Sequence, residues 1–261
     1  MTRSAFLKST VATTGLIGAT QELHAADPAG GTAREYFEIR KYTLKGPQQQ
    51  SLLEAYLKDA AIPALNRLGV RNVGVFLPEK AEGAPLVYVV LRYGSLDQLA
   101  KSTELLADAA LQQQGAAYLD APAAEAVYER IESWLTQGIP GMPAMAVPTK
   151  GSQVYQLRIY ESHSEKAAKK KVEMFDIGEL AIFQRSGLNA VFFGATIVGP
   201  LMPNLTYMLA FSDAAAKDQA WNTFRADPDW TKLKTTPGFT DKEIVSHITN
   251  LVLVPTAYSQ I

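Results

Sequence analysis

The sequence predicts an α+β protein made of two tandem repeats, each with the element order β-α-β-β-α-β. The first observation is a duplicated strand motif. Tyr36–Tyr42 (YFEIRKY) returns as Val154–Tyr160 (VYQLRIY), with arginine and tyrosine at the same offsets. The second is that the segments after each copy correspond in type and order. The third is a connector dense in proline and glycine between the copies, which is typical of a domain boundary.

Composition sets the outer limits of function. The chain has 261 residues, enough for two domains with their own cores, and its formal charge is -1. This charge balance argues against a nucleic-acid partner, which requires a concentrated basic surface. Cysteine is absent, so disulfides, thiolate chemistry and cysteine metal sites are excluded.

Residues 1–26 are predicted to be an export signal. A basic start with Arg3 and Lys8 precedes a mildly apolar run of small residues and a cleavage-like Leu23–Ala26. The run is too short to span a bilayer, so no membrane span is expected. The start resembles a twin-arginine signal, but Ser4 stands where the second arginine belongs. The mature protein is therefore expected in the periplasm or outside the cell. Whether it is exported folded by the twin-arginine route or unfolded by the Sec route is left open.

The first repeat is placed at residues 33–137. Period-two alternation predicts strands, apolar residues at helical spacing predict helices, and glycine or proline marks their ends. The expected elements are a strand over 35–44, a helix over 48–69 ending at Gly69, strands over 73–77 and 86–93, helical segments over 96–106 and 107–125, and a segment over 126–135 that periodicity leaves ambiguous.

A linker over 138–151 leads into the second repeat, residues 152–261. The expected elements are a strand over 153–161, a helix over 164–186 closed by Gly187, strands over 189–198 and 205–211, a helix over 214–226, and a strand over 244–254. Because the last segment is strand by composition, the ambiguous 126–135 is predicted to be a strand too.

This element order is the ferredoxin-like arrangement, in which helices cover one face of the sheet. The other face must find a partner. Two repeats in one chain can press their open faces together and close a barrel, and the alternative is a pairing between chains.

The duplicated strand carries the best candidate site. Its polar face is expected to look into the space between the two sheets, with Arg92 of the central strand joining it, while the opposite apolar face packs on helices. Buried arginines must be paired or must await an anion. Two interpretations stay open: a satisfied polar network, or a pocket for a small carboxylate or enol-type ligand. The candidate ligand-binding residues are Glu38, Arg40, Tyr42, Arg92, Gln156, Arg158 and Tyr160.

Other polar residues are weaker candidates. His163, just past a strand end, is a candidate general base, and Ser164 is expected to cap the helix after it. The basic cluster around Lys171 and the carboxylate of Glu179 are expected on solvated helix faces. Only three histidines occur, without metal-ligand spacing, so no metal and no cofactor are predicted.

The whole mature chain resembles the NIPSNAP family of the dimeric α/β-barrel superfamily. The motifs that carry the resemblance are Tyr36–Tyr42, Val154–Tyr160, Asn189–Gly194, Pro203–Leu209, Phe224–Trp230 and the tail from Ile248 to Ser259. The resemblance implies two ferredoxin-like units with facing sheets. The superfamily includes cofactor-free monooxygenases, haem-handling proteins, and small-molecule decarboxylases or isomerases, among which the fold does not choose.

The leading hypothesis is an exported protein that binds or transforms a small anionic molecule in an inter-sheet cavity of mixed polarity. Any reaction is expected to be of a cofactor-independent oxygenase or isomerase type. The alternatives are a non-catalytic interaction or scaffold protein and a haem-handling protein. A homodimer is left open as the oligomeric state.

Overall fold

The computed structural model describes residues 33–80, 82–148 and 151–261. The predicted export signal, residues 1–26, lies outside the described residues. Within the described ranges, none of the helices is both long and apolar enough to cross a bilayer.

Both repeats contain four strands in the predicted positions. The bounds are β1 Tyr36–Leu44, β2 Gly74–Pro78, β3 Leu86–Tyr93, β4 Tyr128–Gly138, β5 Val154–Glu161, β6 Asn189–Val198, β7 Asn204–Phe211 and β8 His247–Pro255. The ambiguous end of the first repeat is β4, so the assignment of that segment as a strand is confirmed.

Helices fill the connections between strands. Their bounds are α1 Pro47–Tyr56, α2 Ile62–Arg67, α3 Leu96–Ser102, α4 Ala109–Leu119, α5 Glu165–Met174, α6 Leu180–Ser186, α7 Ala214–Ala226, α8 Pro228–Leu233 and α9 Asp241–Ile244. Short 3-10 turns lie at Leu105–Ala107 and Ala123–Glu125. Each repeat thus keeps the predicted order β-α-β-β-α-β.

The eight strands form one closed antiparallel barrel. The first repeat contributes the order β4-β1-β3-β2 and the second contributes β8-β5-β7-β6, the ferredoxin-like order in both. The two sheets join edge to edge, because β2 pairs with β8 and β4 pairs with β6. The barrel of the eight described strands therefore closes within a single chain, and these strands leave no sheet edge for pairing with another chain.

The barrel interior is filled by apolar side chains from both repeats. Phe37 and Ile39 of β1 meet Leu157 and Ile159 of β5 in one buried cluster, and Phe37 stacks 4.8 Å from the ring of Phe192. The prediction that the polar strand faces look between the sheets, around a cavity of mixed polarity, is therefore wrong. An eight-stranded barrel has an interior just wide enough for side chains to fill, and unpaired charges there would be costly.

The first helix of each repeat contains a π turn at the equivalent place. Leu57–Ala61 separates α1 from α2, and Phe175–Glu179 separates α5 from α6. Pro63 follows the first π turn, but the second repeat makes the same turn without a proline. Proline is therefore not the shared cause of the two π turns. Such turns occur often at functional sites.

Both predicted glycine caps are confirmed. Gly69 and Gly187 take left-handed backbone angles, with φ of 79° and 81°, where the first helical segment of each repeat ends. Glycine adopts this conformation without the penalty that a Cβ imposes.

Candidate functional site

The two polar strand faces lie beneath the helices, on the outer side of the barrel. Tyr42 belongs to a buried cluster with Leu53 and Leu57 of the first helical segment. Tyr160 packs in the same way against Phe175, with ring centroids 6.4 Å apart. We call each space between sheet and helices the helix-facing layer of its repeat.

In the helix-facing layer of the first repeat, the positive charge of Arg40 is balanced by the carboxylate of Glu38. The Glu38 carboxylate bridges Arg40, with one oxygen 2.6 Å from Nε and the other 3.0 Å from a terminal nitrogen. The same carboxylate accepts hydrogen bonds from Tyr93 at 2.9 Å and Ser133 at 2.8 Å. Here the satisfied polar network is the interpretation that the contacts support.

The second repeat replaces this carboxylate by an amide. Gln156 occupies the position of Glu38, two residues before the arginine, and brings no charge. Its Oε1 accepts a hydrogen bond from the indole of Trp221 at 2.6 Å, and its Nε2 donates to Asn250 at 2.7 Å. Both ends of the amide are thus engaged away from the arginine.

Arg158 is left with aromatic and hydroxyl neighbours. Its guanidinium lies 4.7 Å from the ring of Trp221 and 5.3 Å from that of Tyr160. One terminal nitrogen donates to the Tyr160 hydroxyl at 3.1 Å. The Nε atom is buried, yet it has no hydrogen-bond partner in the part of the chain that the structure describes. A buried donor in this state is uncommon and marks a place for an additional partner.

A buried ion pair lies deeper in the same layer. Lys171 and Glu179 are each 1% exposed, and their charged atoms are 2.8 Å apart. The ammonium lies over three rings, at 4.6 Å from Phe175, 5.1 Å from Tyr160 and 5.9 Å from Trp230. Burial raises the pKa of Glu179, whereas the neighbouring Lys171 lowers it.

The two cations of this layer are unequally paired. Lys171 makes the short contact with Glu179, which also interacts electrostatically with Arg158 and with the exposed Asp241. In the first repeat, the carboxylate of Glu38 pairs directly with Arg40. Among the described residues, Arg158 has no such direct carboxylate partner.

The family model described as NIPSNAP matches residues 155–260. The second repeat is a NIPSNAP domain. A search of the curated proteins found no match to the chain.

Solved structures are similar in fold over 85% of the chain. A proposed monooxygenase from Fusobacterium nucleatum has a TM-score of 0.57 at 10% identity, over 85% of this chain and 93% of that one. A second from Lactobacillus acidophilus has a TM-score of 0.55 at 12% identity, over 85% and 94%. An uncharacterised NIPSNAP-like domain protein from Burkholderia xenovorans gives 0.37 at 20% identity, over 42% and 90%. The chain has the fold of the dimeric α/β-barrel proteins.

Two predicted site residues, Arg92 and His163, lie outside both helix-facing layers. Arg92 stands opposite Phe37 in the β1–β3 pairing, on the barrel-interior side, and forms an ion pair with Glu35. The expectation that Arg92 joins the polar strand faces is wrong, because its parity on β3 places it on the other side of the sheet. His163 is exposed in the turn before α5, where Ser164 caps the helix as predicted by accepting a hydrogen bond from the Ala167 amide.

Sequence reasoning missed the two buried charges of the NIPSNAP domain. Lys171 and Glu179 were expected on solvated helix faces, and both are buried. The signal that could have found them is the repeat itself. Counting from the shared glycine cap, Lys171 takes the place of the apolar Leu53, and Glu179 takes the place of Ala61. A charged residue at a core position of the helix stripe indicates a buried pair.

The ion pair in the first repeat should make that repeat sensitive to acid. Burial alone raises the pKa of Glu38, but Arg40, with the hydroxyls of Ser133 and Tyr93, lowers it below the ordinary value of 4.5. A carboxyl with a depressed native pKa stabilises the fold above its unfolded pKa, and this contribution disappears as the pH falls through the native pKa. Urea unfolding should therefore show a larger loss of stability from about pH 5 to about pH 3 in the natural chain than in Glu38→Gln. An equal loss in both proteins would contradict this assignment.

Proposed function

We propose that the NIPSNAP domain binds a small anionic molecule at Arg158, in its helix-facing layer. The observation that carries the proposal is the half-buried guanidinium that has no direct carboxylate partner and whose buried Nε has no hydrogen-bond partner among the described residues. A charge that leaves water must be paired, and a buried donor must be satisfied. An anionic ligand would meet both demands.

The surroundings of Arg158 combine an aromatic ring with an exposed neighbour. The guanidinium lies over the ring of Trp221, and Asn250, opposite Arg158 on β8, is exposed to solvent. Tyr207 is fully buried, and burial raises its pKa well above the ordinary value, so its hydroxyl keeps its proton and donates to Tyr160 at 3.0 Å. The Tyr160 oxygen thus accepts from Tyr207 and Arg158, which leaves its own proton for a ligand.

The site lies on the outside of the barrel, not between the sheets. The interior is occupied by side chains of the apolar cluster. The ligand would therefore enter between β8 and α7, the elements that carry Asn250 and Trp221.

Matched arginine variants test the proposal. Arg158→Leu removes the unpaired guanidinium, whereas Arg40→Leu removes the internally paired one in the first repeat. Binding of benzoate, benzenesulfonate and phenyl phosphate is measured by titration calorimetry. We expect the natural chain and Arg40→Leu to bind at least one of these anions, and Arg158→Leu to bind it at least about tenfold more weakly, because a charge-assisted hydrogen bond is lost.

Circular dichroism establishes that both variants are folded before titration. Equal affinity of a folded Arg158→Leu and the natural chain would refute the proposal. So would the failure of all three anions to bind the natural chain at millimolar concentration.

A further inference from the structure

We infer that the ligand of the Arg158 site is a monocarboxylate bound side-on, as the Glu38 side chain binds Arg40 in the first repeat. The inference rests on the proposed function and narrows it to one chemical class. On this inference, the first repeat holds an equivalent arginine site, at Arg40, in which the Glu38 carboxylate takes the place of the ligand.

The two arginines lie in the same structural frame. Arg40 on β1 stands opposite Val89 of β3 and Ser133 of β4. Arg158 on β5 stands opposite the corresponding residues of β7 and β8, Tyr207 and Asn250. The residues two positions earlier, Glu38 and Gln156, likewise occupy equivalent positions in their sheets. The position of the Glu38 carboxylate beside Arg40 therefore indicates where the carboxylate of a ligand would bind beside Arg158.

Glu38 shows the geometry in detail. Its two oxygens bridge Nε and a terminal nitrogen of Arg40, the fork that matches a planar carboxylate. In the second repeat, the equivalent Nε of Arg158 is the buried atom without a hydrogen-bond partner among the described residues. A group with two oxygens in one plane satisfies Nε and a terminal nitrogen together. An enolate offers a single oxygen, which can accept from both donors, as Asp108 Oδ2 does from Arg67, but it does not form the two-oxygen fork that Glu38 forms with Arg40.

Charge favours a monoanion over a dianion. Arg158 has no direct carboxylate partner among the described residues, but the carboxylate of Glu179 interacts electrostatically with it. A phosphate monoester, with a charge near -2 at neutral pH, would be repelled by Glu179 more strongly than a monoanion.

Two reciprocal substitutions test the inference. Gln156→Glu places a carboxylate beside Arg158 and should fill the site internally, which weakens benzoate binding at least about tenfold. Glu38→Gln removes the internal carboxylate from Arg40 and should create a second benzoate site, so that the calorimetric stoichiometry rises from one to two. In the natural chain, benzoate should bind at least about tenfold more tightly than benzenesulfonate or phenyl phosphate.

The outcomes separate this inference from the proposed function. If all three anions bind equally well and Arg158→Leu abolishes their binding, the anion site stands and the carboxylate assignment is wrong. Unchanged benzoate affinity in Gln156→Glu overturns the side-on placement. A folded Glu38→Gln that still binds one benzoate overturns the assignment of the first repeat as an occupied copy. Failure of Arg158→Leu to weaken any anion removes the proposed function and this inference together.

Discussion

Replacing Lys171 by leucine is expected to lower the free energy of unfolding by about 3–5 kcal/mol. The substitution leaves Glu179, which is 1% exposed, without the ammonium that lies 2.8 Å away. It also removes the cation from the faces of Phe175 and Tyr160. Breaking one side of a buried pair is costly because the remaining charge stays desolvated. Urea denaturation at neutral pH measures the loss.

The first repeat supplies the matched control. Leu53 and Ala61 occupy the equivalent positions there, so the double variant Lys171→Leu/Glu179→Ala copies an apolar pair that the same frame already accommodates. We expect this double variant to lie within about 1–2 kcal/mol of the natural chain, since apolar replacement of a buried pair is often neutral. A double variant as unstable as the single one would contradict the role assigned to the pair.

The single variant should also respond to pH in a defined direction. Burial raises the pKa of Glu179, and Lys171 opposes that rise, so removing Lys171 raises the pKa further. A carboxyl whose native pKa is elevated binds a proton more readily in the folded state, and stability then falls as the pH increases. Lys171→Leu should therefore be closer to the natural chain in stability at about pH 5 than at about pH 8.

Replacing Phe37 by alanine is expected to cost about 3–5 kcal/mol of unfolding free energy. Phe37 is fully buried in the barrel interior, stacked on Phe192, in a cluster that joins the two repeats. The lost ring removes apolar burial and leaves a cavity that closed sheets cannot collapse. Phe37→Leu, which keeps most of the volume, should cost less than about 2 kcal/mol.

This experiment distinguishes a packed barrel from a ligand-holding one. If the interior is a core, the cavity in Phe37→Ala should be dry and apolar, and benzene should bind there and restore part of the stability. The natural chain should show no such stabilisation. A loss below about 1 kcal/mol in Phe37→Ala would indicate an interior that was already open.

The repeat frame could be predicted well from sequence because its signals are local. The strand over 86–93 has the predicted bounds, and β3 lies between β1 and β2, covered on both sides, as its apolar residues on both parities indicate. The caps at Gly69 and Gly187 follow from backbone preferences of single residues. The likeness to NIPSNAP proteins agrees with the family match over residues 155–260. For the first repeat, membership of that family remains a prediction.

The ion pair of the NIPSNAP domain could not be found by helical spacing. Eight residues separate Lys171 from Glu179, and a π turn ends at Glu179. Side-chain pairs on a regular helix are three or four residues apart. A lysine among other lysines is also ordinarily solvated, so the composition of this segment predicted an exposed Lys171. The packing of this helical segment against β7, α8 and α9 buried both groups.

The sequence by itself determined that each duplicated strand has one apolar and one polar face, since side chains alternate along a strand whatever surrounds it. The tertiary structure alone decided which face points where. Because the two sheets close into a narrow barrel, the apolar faces with Phe37, Ile39, Leu157 and Ile159 fill the interior. Arg40 and Arg158 consequently lie on the outer side, beneath the helices. The tertiary structure also left the two arginines differently paired: Arg40 is held by Glu38, whereas Arg158 has an aromatic neighbour and a buried Nε without a hydrogen-bond partner among the described residues.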